Sequence, residues 1–370
     1  MKNTLRFKQF VKSLLVFMVI AQANVLAQPA IQWDKTIGST GSEQLSSVLQ
    51  STDGGYILTG TSGAAGIGGD RTEPTTGDDE AWMVKLGPAG TKIWDDILDQ
   101  YGITRVISTI QTTDGGFVIA GGSEVLDFLL KLDAARNVQW FYPFSPDNEF
   151  FTYTNLVEIA ATTDGGFVAA LTSNGRIQAG QKDENPIGGL DYLIIKFSAS
   201  GAIQWNNTIG GTGQDYCSTI RQTADGGYIV AGTSSSGIGF DKTEAPKLGT
   251  DLWIVKLNAN GVVVWDKTIG GPTVQSIIQS ADGGYIAGGY SNTNAGGDKS
   301  ENSKGGYDMW IVKLDPAGSV VWDRTIGGSG NDYVYGLFEN PDGSIILGGQ
   351  SDSGIGETRQ KQAGNRLIYG

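Results

Sequence analysis

Three stretches of the chain carry carboxylates at a spacing that could do chemistry: Asp70-Arg-Thr-Glu73, Asp241-Lys-Thr-Glu244 and Asp298-Lys-Ser-Glu301, each entered through glycines. Carboxylates three apart in a Gly-rich loop could supply oxygen ligands to calcium, which takes roughly six to eight of them. The same pattern reads as a capping box, with Asp taking backbone N–H groups and Glu reaching back, and the intervening Lys or Arg favours that reading. Glu158 and Asp183 are acids that a hydrolase or lyase acting on polysaccharide could use, if the fold paired them. Other chemistry is closed off. The chain has 370 residues, no histidine and a single cysteine, Cys217. That excludes a Ser-His-Asp triad, a Cys-His dyad, the usual zinc sites and an intrachain disulfide. The Gly-Ile-Gly runs lack the Gly-Lys-Ser/Thr and following helix of a P-loop. No cofactor is expected apart from that calcium alternative.

The elements that must position these residues begin after an N-terminal address. Lys2, Arg6, Lys8 and Lys12 precede an apolar run from Ser13 to Ile20 that continues weakly to Leu26, with a small-residue exit at Ala27. This is the pattern of a secretory signal peptide over residues 1–27, too short for a membrane span. Its removal leaves 22 basic against 39 acidic side chains, a net charge of −17. Such a surface repels nucleic acid and anionic membranes. A secreted or cell-surface location is expected, with the periplasm as the alternative, and a monomer without a transmembrane segment.

Residues 28–370 read as one domain built from six copies of a repeat. Asp-Gly recurs at Asp53, Asp114, Asp164, Asp225, Asp282 and Asp342, spaced by 61, 50, 61, 57 and 60 residues. A Trp closing a short apolar run recurs at Trp33, Trp94, Trp140, Trp205, Trp265 and Trp322. Each copy divides into four short strands. The first two flank the Asp-Gly turn, a strong hairpin signal because both residues tolerate positive φ. A third ends near Leu257 or Leu314, and a second tight turn leads into the strand that carries the Trp.

Four antiparallel strands repeated six times predict an all-β fold, a six-bladed β-propeller of four-stranded blades, because radial repetition leaves only short protected edges. Ile31 to Ile37 reads as a fourth strand lacking its first three. The expectation is that it closes the ring beside Arg366 to Tyr369. Large rings should fill space between blades, which assigns packing roles to Trp33, Trp94, Trp205, Trp253, Trp265, Trp310 and Trp322. The turn aspartates are assigned structural roles. Three residues before them, Gln50, Gln111, Gln222, Gln279 and Glu339 read as hydrogen-bond partners of the neighbouring blade.

The segment WDRTIGGSGNDYVYGLFENPDGSIILGGQSDSG from Trp322 resembles the bacterial seven-bladed β-propeller (SBBP) repeat and related repeats of secreted Bacteroidota proteins. Its strand order is also similar to a WD-repeat blade. The resemblance covers essentially the whole chain after residue 27, and it implies architecture more than activity. Ser51-Thr-Asp53-Gly-Gly55 approaches the Asp-box of sialidase propellers, but the downstream Thr-Trp is missing. The Trp253/Trp265 and Trp310/Trp322 pairs resemble the docking repeats of quinone-dependent dehydrogenases, yet six copies and one cysteine fit those poorly. The expected function is an exported, non-enzymatic scaffold binding protein or glycan through loops on one face. The polysaccharide hydrolase or lyase is the alternative.

Overall fold

The structure is a computed structural model that describes residues 33–63, 67–74, 80–98, 102–123, 126–144, 154–175, 186–271, 273–354 and 367–369. The chain divides into two units, Met1–Lys35 and Thr36–Gly370, and every sheet lies in the second. No helix occurs among the described residues, and none is long and apolar enough to cross a membrane. The signal sequence expected over residues 1–27 lies outside the described residues.

Blade 1 comprises β1 (Glu43–Gln50), β2 (Tyr56–Ser62), β3 (Glu80–Leu86) and β4 (Lys92–Ile97). Blade 2 comprises β5 (Arg105–Gln111), β6 (Phe117–Gly122), β7 (Asp127–Leu132) and β8 (Val138–Phe144). Blade 3 follows with β9 (Thr154–Ala161), β10 (Phe167–Ser173), β11 (Asp191–Phe197) and β12 (Ile203–Ile209). Blade 4 holds β13 (Asp215–Gln222), β14 (Tyr228–Ser234), β15 (Asp251–Leu257) and β16 (Val263–Ile269). Blade 5 holds β17 (Val274–Gln279), β18 (Tyr285–Ser291), β19 (Asp308–Leu314) and β20 (Val320–Ile326). All five are antiparallel meanders in sequence order.

The sixth sheet departs from the expected plan. It consists of β21 (Asp332–Glu339), β22 (Ile345–Ser351) and the three-residue β23 (Leu367–Tyr369), which runs parallel to β22. The six closed four-stranded blades are therefore corrected to five four-stranded blades and one small sheet. Nor does the N-terminus complete that sheet: residues 33–37 form no strand, and 31–32 lie outside the described residues. The physical reason is the missing edge. The third strands of the five full blades run antiparallel to their second strands, whereas β23 is short and reversed, so it presents no matching edge to a returning chain. Ile37 instead packs against the cluster of Trp82, Val84, Leu86 and Ile97 of blade 1, and the Gly38 N–H donates to Asp70 there.

The hairpins form because their turns are written in glycine. Gly54, Gly115, Gly165, Gly226, Gly283 and Gly343 all take φ between 79° and 84°, which a Cβ would strain. Third strands such as β15 (DLWIVKL) are buried along their whole length, since they face a neighbouring blade on each side. Fourth strands such as β16 alternate, because they form the rim. The cores lie between blades. Val168 and Ala170 of blade 3 pack on Cys217, Ile220 and Trp253 of blade 4, and Ile229 and Ala231 of blade 4 on Val274, Ile277 and Trp310 of blade 5. Each fully buried Val, Leu or Ile contributes about 1.5–3 kcal/mol.

Candidate binding face

Each full blade has two ends of different chemistry, and the first is a structural lock. At the turn of blade 1, Asp53 accepts hydrogen bonds from the Ser51 hydroxyl at 2.6 Å, the Gly55 N–H at 3.0 Å and the ammonium of Lys85 at 2.6 Å. Lys85 comes from the third strand and is buried. The same lysine recurs as Lys131 on Asp114, Lys196 on Asp164, Lys256 on Asp225 and Lys313 on Asp282. Sequence reasoning missed these lysines, although the recurrent apolar-Lys-Leu at the end of the third strand was a visible signal. In the last sheet the Ser344 hydroxyl and N–H donate to Asp342.

The lock makes the turn aspartates acidic. The Thr112 hydroxyl, followed by Lys131 and the Gly116 N–H, outweighs desolvation and lowers Asp114 to about 2. Burial opposes ionisation of Asp164 and Asp225, but the Thr162 or Thr223 hydroxyl and the Lys196 or Lys256 ammonium hold each at about 2. Lys85 lowers Asp53 in the same direction. Because these folded values lie below the unfolded value of about 4, the stabilisation is complete above that pH and fades as pH falls towards 2. The melting temperature is therefore expected to hold down to about pH 5 and to fall steeply between about pH 4 and 2. Calorimetry across that range checks this, and a melt unchanged at pH 2 would exclude the lock as a contributor.

Blades are joined by side chains that copy one another. Gln111 accepts the Thr52 N–H of blade 1 at 2.9 Å, Gln222 the Thr163 N–H at 2.8 Å, Gln279 the Ala224 N–H at 2.7 Å and Glu339 the Ala281 N–H at 2.9 Å. Trp205 and Trp265 lie over the turn glycines Gly261 and Gly318 of the following blade and against Tyr228 and Tyr285. Trp94 meets Arg136 in the corresponding turn, where the guanidinium stacks at 4.5 Å and pairs with Asp96, a use that accounts for a non-glycine residue at φ 71°. Trp322 packs in the cluster between blades 5 and 6, and Trp33 belongs to the other unit. Trp253 and Trp310 are fully buried, and their indole N–H groups donate to Asp266 and Asp323.

The Asp-x-Thr-Glu loops serve the same joining purpose. Asp70, Asp241 and Asp298 accept the N–H of Gly38, Gly210 and Gly270, the glycines that follow the preceding Thr-Ile steps. Glu73, Glu244 and Glu301 accept the N–H of Ile97, Thr268 and Thr325 on the fourth strand of their own blade. The carboxylates point apart, to different strands, so the loop is a clip between elements rather than a one-turn cap. Among the described residues no group of three acidic or cysteine side chains is placed to hold a metal ion. The basic residue between them goes inside: Arg71, Lys242 and Lys299 are buried, and Lys242 lies 5.2 Å from the centre of the Trp253 ring. Burial lowers the pKa of Lys242 and Lys299. Glu158, offered as a catalytic acid, pairs with Arg221 at 2.5 Å and accepts bonds from Thr219 and Ile220 of the next blade. Asp183 lies outside the described residues.

The opposite end of the blades, where first strands begin and second strands finish, is where the copies diverge. In register there stand Gln44, Arg105, Asn155, Tyr216 and Tyr333, the second residue of each first strand or its equivalent. Blades 5 and 6 place four tyrosines together at this end. Tyr290 meets Tyr307 and Tyr333 edge-on at 5.4 and 4.9 Å between ring centres, and Tyr333 stacks with Tyr335 at 6.4 Å. Tyr307 is 37% and Tyr335 54% exposed. The sequence held the signal only as Asp332-Tyr-Val-Tyr335, since Tyr290 and Tyr307 join through the fold. A loop tip at the same end carries Phe240, exposed and at φ 54°, where its counterparts Gly69 and Gly297 take 61° and 62°. Phe240→Gly is expected to raise stability by about 1 kcal/mol in denaturant unfolding, by relieving the left-handed strain.

No protein-family model matches the chain, and no curated protein matches it. Solved structures similar to it share low sequence identity. The Dos1 propeller matches at 12% identity and a TM-score of 0.45 over 85% of this chain and 68% of that one. The Neurospora crassa Pan2 WD40 domain matches at 11% and 0.43 over 82% and 86%. The PQQ-bound aldose sugar dehydrogenase from Streptomyces coelicolor matches at 11% and 0.43 over 87% and 94%. The propeller assignment rests on the sheets themselves.

Proposed function

We propose that the protein is an exported β-propeller scaffold that binds a glycan on the divergent end of its blades, through the tyrosines of blades 5 and 6. The observation that carries this is the cluster Tyr290, Tyr307, Tyr333 and Tyr335. Tyrosine offers a sugar ring an apolar face for its C–H bonds and a phenol for its hydroxyls, at little cost in side-chain entropy. Holding the rings against one another, with Tyr290, Tyr333 and Tyr335 on strands, preorganises them. The export pattern over residues 1–27 and the resemblance to secreted repeat propellers agree with an extracellular ligand. Glu158, the acid weighed for catalysis that lies within the described residues, is engaged in joining blades, so binding without turnover is the expected behaviour.

The test is a glycan array followed by calorimetric titration of the best ligand. Tyr335→Ala and Tyr307→Ala are each expected to weaken binding about tenfold, near 1.4 kcal/mol, without altering the melt. Undiminished affinity in both variants would overturn the assignment of the site. A protein ligand captured with no glycan bound would overturn the ligand class.

A further inference from the structure

The loop from β14 to β15 in blade 4 is tied down along its length, yet its tip is apolar. The Gly239 and Lys242 N–H groups each donate to the other residue's carbonyl, closing a two-residue turn over Phe240 and Asp241. Asp241 exchanges bonds with Gly210 of blade 3: its N–H donates to the Gly210 carbonyl at 3.2 Å, and its carboxylate accepts the Gly210 N–H at 3.1 Å. Lys242 is buried against Trp253, and Thr243 is held by Asp266. The charges that follow the tip in sequence are thus engaged with the fold. What the turn presents to solvent is Ile238, 66% exposed, and Phe240, 69% exposed, with one glycine between them.

Two features set this tip apart from an ordinary exposed loop. Phe240 takes φ 54° at a place that blades 1 and 5 fill with Gly69 and Gly297. A bulky residue is strained there, and strain kept at an exposed aromatic marks a position selected for something outside the fold. The isoleucine also repeats: Ile67 of blade 1 stands in the same Gly-Ile-Gly run as Ile238 and is 64% exposed. Blades 1 and 4 are not neighbours, since the inner strands pack β1 on β5, β5 on β9 and β9 on β13. Two apolar tips therefore stand apart on one end of the propeller. A socket on a protein would receive one of them, whereas a flat apolar medium receives both. We infer that this end docks on a lipid surface of low charge, with Phe240, Ile238 and Ile67 entering the boundary between headgroups and acyl chains. The chain carries 39 acidic against 26 basic side chains, so anionic headgroups repel it and neutral ones do not. The tyrosines of blades 5 and 6 lie at the same end, where a phenol suits the wet side of such a boundary. Insertion needs neither those tyrosines nor a glycan.

Flotation of the full mature chain with phosphatidylcholine vesicles tests this, alongside vesicles enriched in phosphatidylglycerol. The protein should float with the neutral vesicles. With the anionic ones it should float less at low salt and recover as salt screens the repulsion. Phe240→Gly installs the residue that blades 1 and 5 carry and should melt no lower than the unmodified protein, yet it should lower partitioning about tenfold, the effect of withdrawing one large apolar side chain. Ile238→Ser and Ile67→Ser should each weaken it in the same direction. Val264→Ser, at a position 59% exposed on the outer strand β16 near the opposite end, should leave it unchanged. Four results would overturn the inference: a chain that floats with neither kind of vesicle, as a protein socket or cover of the tips by other parts of the chain would give; a preference for anionic vesicles at low salt; flotation unchanged in Phe240→Gly; or a loss in Val264→Ser as large as in Phe240→Gly.

Discussion

Gly227→Ser is expected to destabilise the protein by about 3 kcal/mol, the upper range for forcing atoms into a packed site, although it merely installs the residue that blade 6 carries at Ser344. Gly227 is not in the left-handed region, so backbone freedom is not the issue. A Cβ there would run into the carbonyl oxygen of Leu257 and lie 2.5 Å from the Lys256 ammonium, because the third strand crosses directly beneath the turn. The same collision exists at Gly55, Gly116, Gly166 and Gly284. Among the described residues the last sheet has no lysine-bearing third strand in that place, and its serine instead bonds Asp342 and accepts from Asn340. Ser344→Gly should therefore cost only about 1 kcal/mol, the net worth of those hydrogen bonds. Urea unfolding of both variants measures the contrast, and equal midpoints would show that the third strand does not dictate the glycine.

Trp253→Ala should cost about 3–5 kcal/mol, the range for removing a large buried ring. Its indole fills the junction between blades 3 and 4 with Tyr192, Cys217 and Tyr228, donates to Asp266 at 2.9 Å and lies beneath Lys242. Trp253→Phe keeps most of the ring and loses the donor, but Asp266 still holds the Thr243 N–H and hydroxyl. That variant should cost about 1–2 kcal/mol, chiefly for the unmade hydrogen bond. If the two substitutions cost the same, the hydrogen bond rather than ring volume would set the junction.

Much of this was open to reading from the chain alone, and the limits follow from the range of each interaction. The Asp-Gly turns act between adjacent residues, so Gly226 and its equivalents announced the hairpins. The fourth-strand tryptophans and the Gln column acted once per repeat, and repetition made them visible. The lysine lock was harder, since Lys256 and Asp225 are thirty-one residues apart and a lysine in a strand ordinarily reads as a solvated side chain. Arg71, Lys242 and Lys299 were unreadable for a related reason: within the motif the charge that goes inside is the cation, and the carboxylates accept N–H groups of separate strands.

The candidate site and the state of the ring lie beyond local rules. Tyr290 and Tyr333 come together because β18 and β21 belong to successive blades, which no spacing between them encodes. The sequence by itself determined the all-β repeat, the four-stranded unit and the joints between successive copies, because each depends on contacts within one period or to the next. Only the tertiary structure decided that the last sheet is small and that β23 runs parallel. Closure depends on small rotations accumulated over every blade and on a terminal edge of the right length and direction, and no single repeat carries that sum.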